Sequence, residues 1–241
     1  FLTFPSLDTL IQHICKETAI GLNIDRVSIW ENTEEKITLE NIYVQHEDKH
    51  YADLTLNKND FKNYFQAIAK DPLVIASDVY QNNDLIDLGH EYFPKYNIKS
   101  LLDIPIYISG KLKAILCLEA TNEIKYWSTE DINFAKTIGD IIALTIETTK
   151  RKNAENQIIY KNEILTAIAN VTSNLLIHKD KSKIFDSSIE QMGKVLKVDR
   201  LYYFENDIKT NLISQRFEWV SETDLAEIDN PDLQNFPHDL F

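Results

Sequence analysis

The chain is predicted to be α+β, with an antiparallel sheet flanked by helices. Three observations carry this. Apolar residues alternate at period two through "KITLENIYVQ", the mark of a strand with a buried face, and the apolar segments "SLLDIPIYI" and "KLKAILCLEA" form a second strand pair joined by a turn signal. They recur at helical spacing at Leu7, Leu10, Ile11, Ile14, Cys15 and Thr18, and again at Ile132, Ala135, Ile138, Ile142 and Ile146. One segment also occurs twice: Asp25-Arg26 and Glu31-Asn32 return as Asp199-Arg200 and Glu205-Asn206, 174 residues on, with Leu22, Ile24, Val27 and Ile29 answered by Leu196, Val198, Leu201 and Tyr203. Two copies of one module are therefore expected.

Taken in order, the first copy opens with the helix around Leu7 to Thr18, which delivers the chain to an apolar strand, Arg26 to Trp30. In the next strand Ile37, Leu39 and Tyr43 share one face and Thr38, Glu40 and Val44 the other, with Asn41 an imperfection on the first. A helix over "FKNYFQAIAKD", a short strand "LVIAS" and a second helix over "DLIDLGHEYFPKY" follow, Pro94 complicating the end of that helix. Ser109-Gly110 is the turn of the hairpin that comes next. Ser128, with Asp131 three residues on, is an N-cap. From Ser128 to about Leu175 there is no Pro and one Gly, so one helix of roughly 70 Å is expected at about 1.5 Å per residue. Strand pairs adjacent in sequence, rather than regular strand-helix-strand crossovers, argue against a doubly wound sheet.

Composition narrows the function. The 241 residues are 44% hydrophobic and 26% charged, enough to bury real cores. With five glycines and neither G-x-x-x-x-G-K-[ST] nor G-x-G-x-x-G, the common nucleotide-hydrolysing folds are not expected. A net charge of −13 with only short basic clusters such as Lys150-Arg151-Lys152 leaves no nucleic-acid surface. Cys15 and Cys117 stand apart, which fits a reducing compartment. No apolar run approaches the ~20 residues of a membrane span. A chain that starts at Phe1 with no signal-peptide pattern reads as a piece of a longer protein, expected to be cytoplasmic with no membrane contact from this segment.

Residues 46 to 50, HEDKH, spell the zinc-protease signature H-E-x-x-H. It needs a helix, because only there do two histidines four apart share a face. Here it follows directly on a strand and precedes polar "ADLTLNKND", so a strand end or loop is expected, without metal. No phosphoacceptor-His motif, GGDEF or EAL string or nucleophile elbow is present either, and no catalytic residue is assigned.

These elements in their order resemble a GAF domain over about Ser6 to Glu147. "NIKSLLDIPIYISGKLKAILCLEA" is similar to the family's central hairpin and "YWSTEDINFAKTIGDIIALTIE" to its closing helix. Residues 164 to 241, including "SQRFEWV" and "IDNPDLQNFP", resemble the first half of another GAF domain. Three regions are expected: a GAF domain over 1–150, a signalling or linker helix over 151–180, and an incomplete second GAF unit over 181–241. The resemblance implies a six-stranded antiparallel sheet used as a small-molecule sensor and dimerisation unit, upstream of a histidine kinase first and a cyclic-di-GMP cyclase or phosphodiesterase next. The alternative is a ligand-free structural dimerisation module.

Two departures limit the cofactor. Bilin-binding relatives place a thiol four residues before a tyrosine in the helix preceding the hairpin; here Leu88 stands four before Tyr92, and Gly89 takes the place where His is usual, so no covalent bilin is expected. Of the cyclic-nucleotide pattern, only Asn122-Glu123 and Trp127 with Asp131-Ile132 survive. The cofactor is left unassigned.

The family's pocket lies between the sheet and its covering helices, which implies Trp30, Tyr43, Asp78, His90, Tyr92, Asp103 and Cys117 as ligand-binding candidates. Each has a plainer role: Trp30 and Tyr43 as core, His90 on a helix surface, Cys117 as strand packing, and Asp103 bonded to backbone donors of a nearby loop. Along the closing helix, Ile138, Ile141, Ile142, Ala143, Leu144 and Ile146 exceed one core-facing stripe at about 100° per residue. A homodimer through Ile14, Ile138, Ile142 and Ile146 is therefore expected.

Overall fold

In the computed structural model, which describes residues 6–177 and 181–238, the chain separates into two units, Phe1–Arg151 and Lys152–Phe241. Residues 178–180, the end of the expected linker helix, lie outside the described residues.

In the first unit, α1 (Leu7–Leu22) starts at Ser6, whose Oγ accepts from Thr9 N, and stops at Asn23 in the left-handed conformation. Strands β1 (Arg26–Asn32) and β2 (Lys36–Val44) pair antiparallel. Next come β3 (Lys49–Tyr51), β4 (Thr55–Asn57), α2 (Lys62–Lys70), β5 (Val74–Ala76), α3 (Ile86–Gly89) and α4 (Tyr92–Tyr96). The hairpin of β6 (Ser100–Ile108) and β7 (Lys111–Ala120) leads to α5 (Thr129–Ile177). The sheet runs β3-β2-β1-β7-β6-β5, with β4 also on β2, and every pairing is antiparallel. It thus has seven strands rather than the six expected. The outer edge is broken at Asp53, whose φ of 69° interrupts the extended backbone, and the pieces on either side become β3 and β4.

Helices α1 and α5 cover one face of this sheet, and α2, α3 and α4 cover the other. A bulge decides which side chains go where. Ile29 stands opposite Asn41 and Trp30 opposite Leu39, leaving Glu40 without a partner. The alternation changes phase there: Ile37 and Leu39 join Ile42 and Val44 on the α2–α4 side, whereas Tyr43 packs on the α1 side. The single face expected for Ile37, Leu39 and Tyr43 is corrected accordingly.

The expected helix over 84–96 is two short ones. The break falls at His90-Glu91, ahead of Pro94, which is tolerated because it occupies the first turn of α4, where backbone N–H groups have no intrahelical acceptor. At the hairpin, Ser109 (φ 51°) and Gly110 (φ 73°) are both left-handed, as a two-residue turn of the type that matches strand twist requires.

Helix α5 is one element of 49 residues. Ser128 Oγ accepts from Asp131 N at 3.1 Å and Asp131 Oδ2 accepts from Ser128 N at 3.0 Å, a reciprocal cap. Ile142 is buried in the sheet's own core, and Ile14, Ile138 and Ile146 pack against that core. The face expected for dimerisation is therefore the intramolecular one. The apolar side chains left exposed on this stretch of α5 are Phe134, Ile141 and Leu144, at 40%, 46% and 62%. Among the described residues no helix is long and apolar enough to cross a membrane.

The second unit contains α6 (Lys181–Leu196), β8 (Arg200–Asp207), β9 (Leu212–Val220) and β10 (Phe236–Pro237), in a sheet ordered β10-β9-β8. The repeat is structural as well as sequential. The left-handed Asn23 is matched by Lys197, the bond from Ile24 N to Ala19 O by Val198 N to Gly193 O, and Gln45 N to Asp25 O by Ser221 N to Asp199 O. The bulge returns between Tyr203 and Phe204.

Replacing Ser128 by Ala removes one half of the cap and is expected to cost about 1 kcal/mol, read as a lower urea midpoint with an unchanged slope.

Candidate functional site

The register of three strands places a row of polar side chains on the α2–α4 face. Arg26 on β1 stands opposite Glu119 on β7, and Cys117 on β7 lies between Ser28 on β1 and Asp103 on β6. Arg26 Nε is 3.0 Å from Glu119 Oε2, with the two side chains 11% and 2% exposed. The guanidinium lies 4.5 Å from the ring centroid of Tyr96, and Tyr92 hydrogen-bonds Glu119, so α4 closes over the pair. Burial raises the Glu119 carboxyl above its usual range, while Arg26 and the Tyr92 hydroxyl oppose the rise.

Beside this pair Tyr64 reaches in from α2 and donates its hydroxyl proton to Asp103 Oδ2 at 2.6 Å. Burial pushes the Asp103 carboxyl up to about 7 from 3.8, against the opposing effect of Tyr64 and the Cys117 thiol; Glu119 adds to the rise. The Cys117 thiol is itself raised well above its ordinary value by burial, so it is a packed thiol and not a nucleophile. A void of about 20 Å³ among Trp30, Tyr64, Tyr92, Asp103, Cys117 and Glu119 has room for one water.

Above this layer opens a cleft of about 580 Å³. Trp30, Leu39, Ile42, Val44 and Leu54 give it an apolar lining, and Tyr92 and Tyr96 of α4 stand beside Arg26. Tyr51, His46 and Glu47 come from the β2–β3 hairpin, and Asn97, Thr121 and Asn122 complete it. Arg26 is committed to Glu119, and His46 Nε2 is 3.5 Å from Glu47 Oε1. The chemistry of the lining therefore suits an uncharged, largely apolar molecule.

Of the seven candidates, Trp30 and Tyr92 line both cleft and void, and Asp103 and Cys117 line the void beneath. His90 lies in an adjoining hollow of about 370 Å³ that shares Tyr92 and Tyr96 with the cleft. Tyr43 is on the far side of the sheet because of the Glu40 bulge, and donates to Asp48 Oδ1 at 2.8 Å. Asp78 caps a short turn by accepting from Tyr80 N. Asp103 bonds a tyrosine side chain from α2 rather than the backbone donors expected. Tyr64, Tyr96 and Glu119 carry no mark in the sequence that assigns them to the site, and Arg26 is marked only by the repeated Asp-Arg pair.

HEDKH spans the turn after β2 and the first residues of β3. Asp48, left-handed at φ 51°, accepts from Lys16 at 2.6 Å and from Tyr43. His50 Nδ1 is 3.1 Å from Asn41 Oδ1. The two histidines thus sit on a turn and a strand, each with its own neighbour.

A model of the GAF domain family matches residues 6–146, more than half of the chain, and the protein belongs to that family of regulatory modules. The methanogenesis regulatory histidine kinase FilI of Methanothrix harundinacea is 30% identical over 100 residues, 41% of this chain and 11% of that protein. The chain thus spans about a tenth of that relative. The phycocyanobilin-bound GAF domain of a cyanobacterial phytochrome superposes with a TM-score of 0.53 at 16% identity, covering 61% of this chain and 87% of its own. The GAF domain of a phosphoenolpyruvate-protein phosphotransferase from Coxiella burnetii gives 0.52 at 16%, covering 63% and 89%. Both likenesses concern the fold.

Asp103 generates a pH prediction. Its folded value lies above its unfolded one, so the native state holds the extra proton; this contribution to stability is complete below about pH 4 and is lost as pH rises through about 7. Asp103→Asn keeps an acceptor for Tyr64 and cannot ionise. Urea titrations at pH 4.5 and 8 should show the variant gaining on the parent at the higher pH. Asp103→Ala, which strands the Tyr64 hydroxyl, should lose about 1 to 3 kcal/mol.

Proposed function

We propose that residues 1–150 are a cytoplasmic sensory module: a small uncharged ligand occupies the cleft, and its presence is relayed through α5, with 151–180 as the signalling helix, in a parallel homodimer. The observation that carries this reading is the position of Thr121 and Asn122. They line the cleft, and they are also where β7 hands over to the segment entering α5. Asp25 holds this junction by accepting from Thr121 N and from Asn122 Nδ2, each at 2.7 Å. A ligand that moves this junction moves the start of the helix.

The output is a histidine kinase in the first instance, by analogy with the relative from Methanothrix harundinacea, and a diguanylate cyclase or phosphodiesterase in the second. The dimer contact we assign to α5 is the stripe of Phe134, Ile141 and Leu144, since a second apolar face left in water is adhesive. That stripe also supports the alternative, a ligand-free module that only dimerises and spaces its output, because it acts without any ligand.

One measurement separates these readings and a second tests the dimer that both require. Native mass spectrometry of freshly purified protein should find a retained small molecule that is lost on Leu39→Arg, which puts a charge into the apolar lining; protein free of any adduct favours the spacer. Sedimentation at micromolar concentration should give a dimer that Ile141→Asp with Leu144→Asp converts to monomer. A monomeric parent would remove the dimer relay.

A further inference from the structure

The second unit repeats the pairing on which the first cleft is built, but with different chemistry. Trp30 opposite Leu39 becomes Phe204 opposite Gln215, and Ser28 opposite Ile42 becomes Tyr202 opposite Glu218. Arg200 takes the place of Arg26. A cavity of about 200 Å³ lies at this position, lined by Arg200, Phe204, Gln215, Glu218, Glu227 and Leu233 among others. It is the counterpart of the first cleft, smaller and more polar.

Gln215 is the unusual member. Its residue is 3% exposed, yet neither Nε2 nor Oε1 has a hydrogen-bond partner among the described residues. Leaving both ends of a buried amide unsatisfied is costly, and native proteins seldom do so without a reason. The charged groups around it are already engaged. Arg200 Nε donates to Leu225 O at 2.8 Å, Arg200 Nη2 is 3.4 Å from Glu227 Oε1, and Glu218 Oε2 accepts from Glu227 N at 2.8 Å. The free recognition group in the cavity is therefore neutral, a donor and an acceptor side by side in one plane.

We infer that the second unit holds its own ligand site, in which the Gln215 amide pairs with a small neutral molecule carrying an adjacent donor and acceptor, such as a ring-sized primary amide or lactam. Phe204, whose ring packs edge-on with those of Tyr202 and Phe236, forms part of the wall beside Gln215, and the volume admits a single ring. Glutamine in place of leucine is the specificity determinant: the first cleft selects by apolar fit, the second by paired hydrogen bonds. This site stands apart from the reading of the first unit, and either can fail alone.

The test uses the full chain, labelled with ¹⁵N, and four probes: nicotinamide, 2-piperidone, toluene and benzoate. The Gln215 Nε2 signals are assigned as those missing from the Gln215→Leu spectrum. Nicotinamide or 2-piperidone should move them saturably, while toluene and benzoate should not. Gln215→Leu should weaken amide binding by about tenfold or more, the loss of a hydrogen-bonded pair, with the far-ultraviolet circular dichroism unchanged. Should that variant misfold, Gln215→Met, which is close in length and lacks both amide groups, should weaken binding in its place. Gln215 signals that no amide probe moves up to its solubility, equal response to toluene, or undiminished amide binding in both variants would each overturn the inference.

Discussion

A guanidinium and a carboxylate, held against each other across the middle of a sheet and largely screened from water, impose the constraint from which the first unit's site follows. Neither Arg26 nor Glu119 can be buried alone; removing one partner of such a pair typically costs about 3 to 5 kcal/mol. Their pairing requires β1 and β7 to be neighbours in one register, which the hairpin of β6 and β7 and the packing of α1 and α5 secure. It also requires a cover, and α4 supplies Tyr92 to the carboxylate and the Tyr96 ring to the guanidinium. The cleft is what remains between that cover and the β2 edge.

The pair also explains the character of the cleft. A free arginine there would attract phosphate or carboxylate, whereas one already neutralised by Glu119 leaves a lining suited to apolar contact. In the second unit the arginine is kept as Arg200, but its acid is Glu227, from a loop rather than from a strand. The frame repeats while the groups set around it change.

Much of this was legible in the sequence because it is local. Period-two alternation located β2, apolar runs located β1, β6 and β7, Ser109-Gly110 marked the hairpin turn, and Ser128 with Asp131 the start of α5. The repeat was visible because it is a matter of identities at fixed spacing. What stayed hidden depends on partners distant in the chain. The bulge at Glu40 appears only when β1 is laid against β2, and with it Tyr43 leaves the cleft side. Arg26 and Glu119 look like two surface charges until β1 and β7 are paired. The closing helix visibly carries more apolar residues than one stripe, but which of them face the sheet is set by packing: Ile138, Ile142 and Ile146 turn inward, leaving Phe134, Ile141 and Leu144 outside.

The central claim is that the cleft and the beginning of α5 are mechanically joined through Thr121 and Asn122. Ala52 is an exposed residue lining the cleft, and the natural cysteines are both buried, so Ala52→Cys can be labelled selectively with N-phenylmaleimide to tether an apolar occupant. Hydrogen exchange of the labelled and unlabelled variant, followed by mass spectrometry, reads the consequence directly. The account predicts slower exchange at the amides of residues 121–131 once the cleft is filled. Slowing confined to β2, β3 and α4, with 121–131 unchanged, would contradict it.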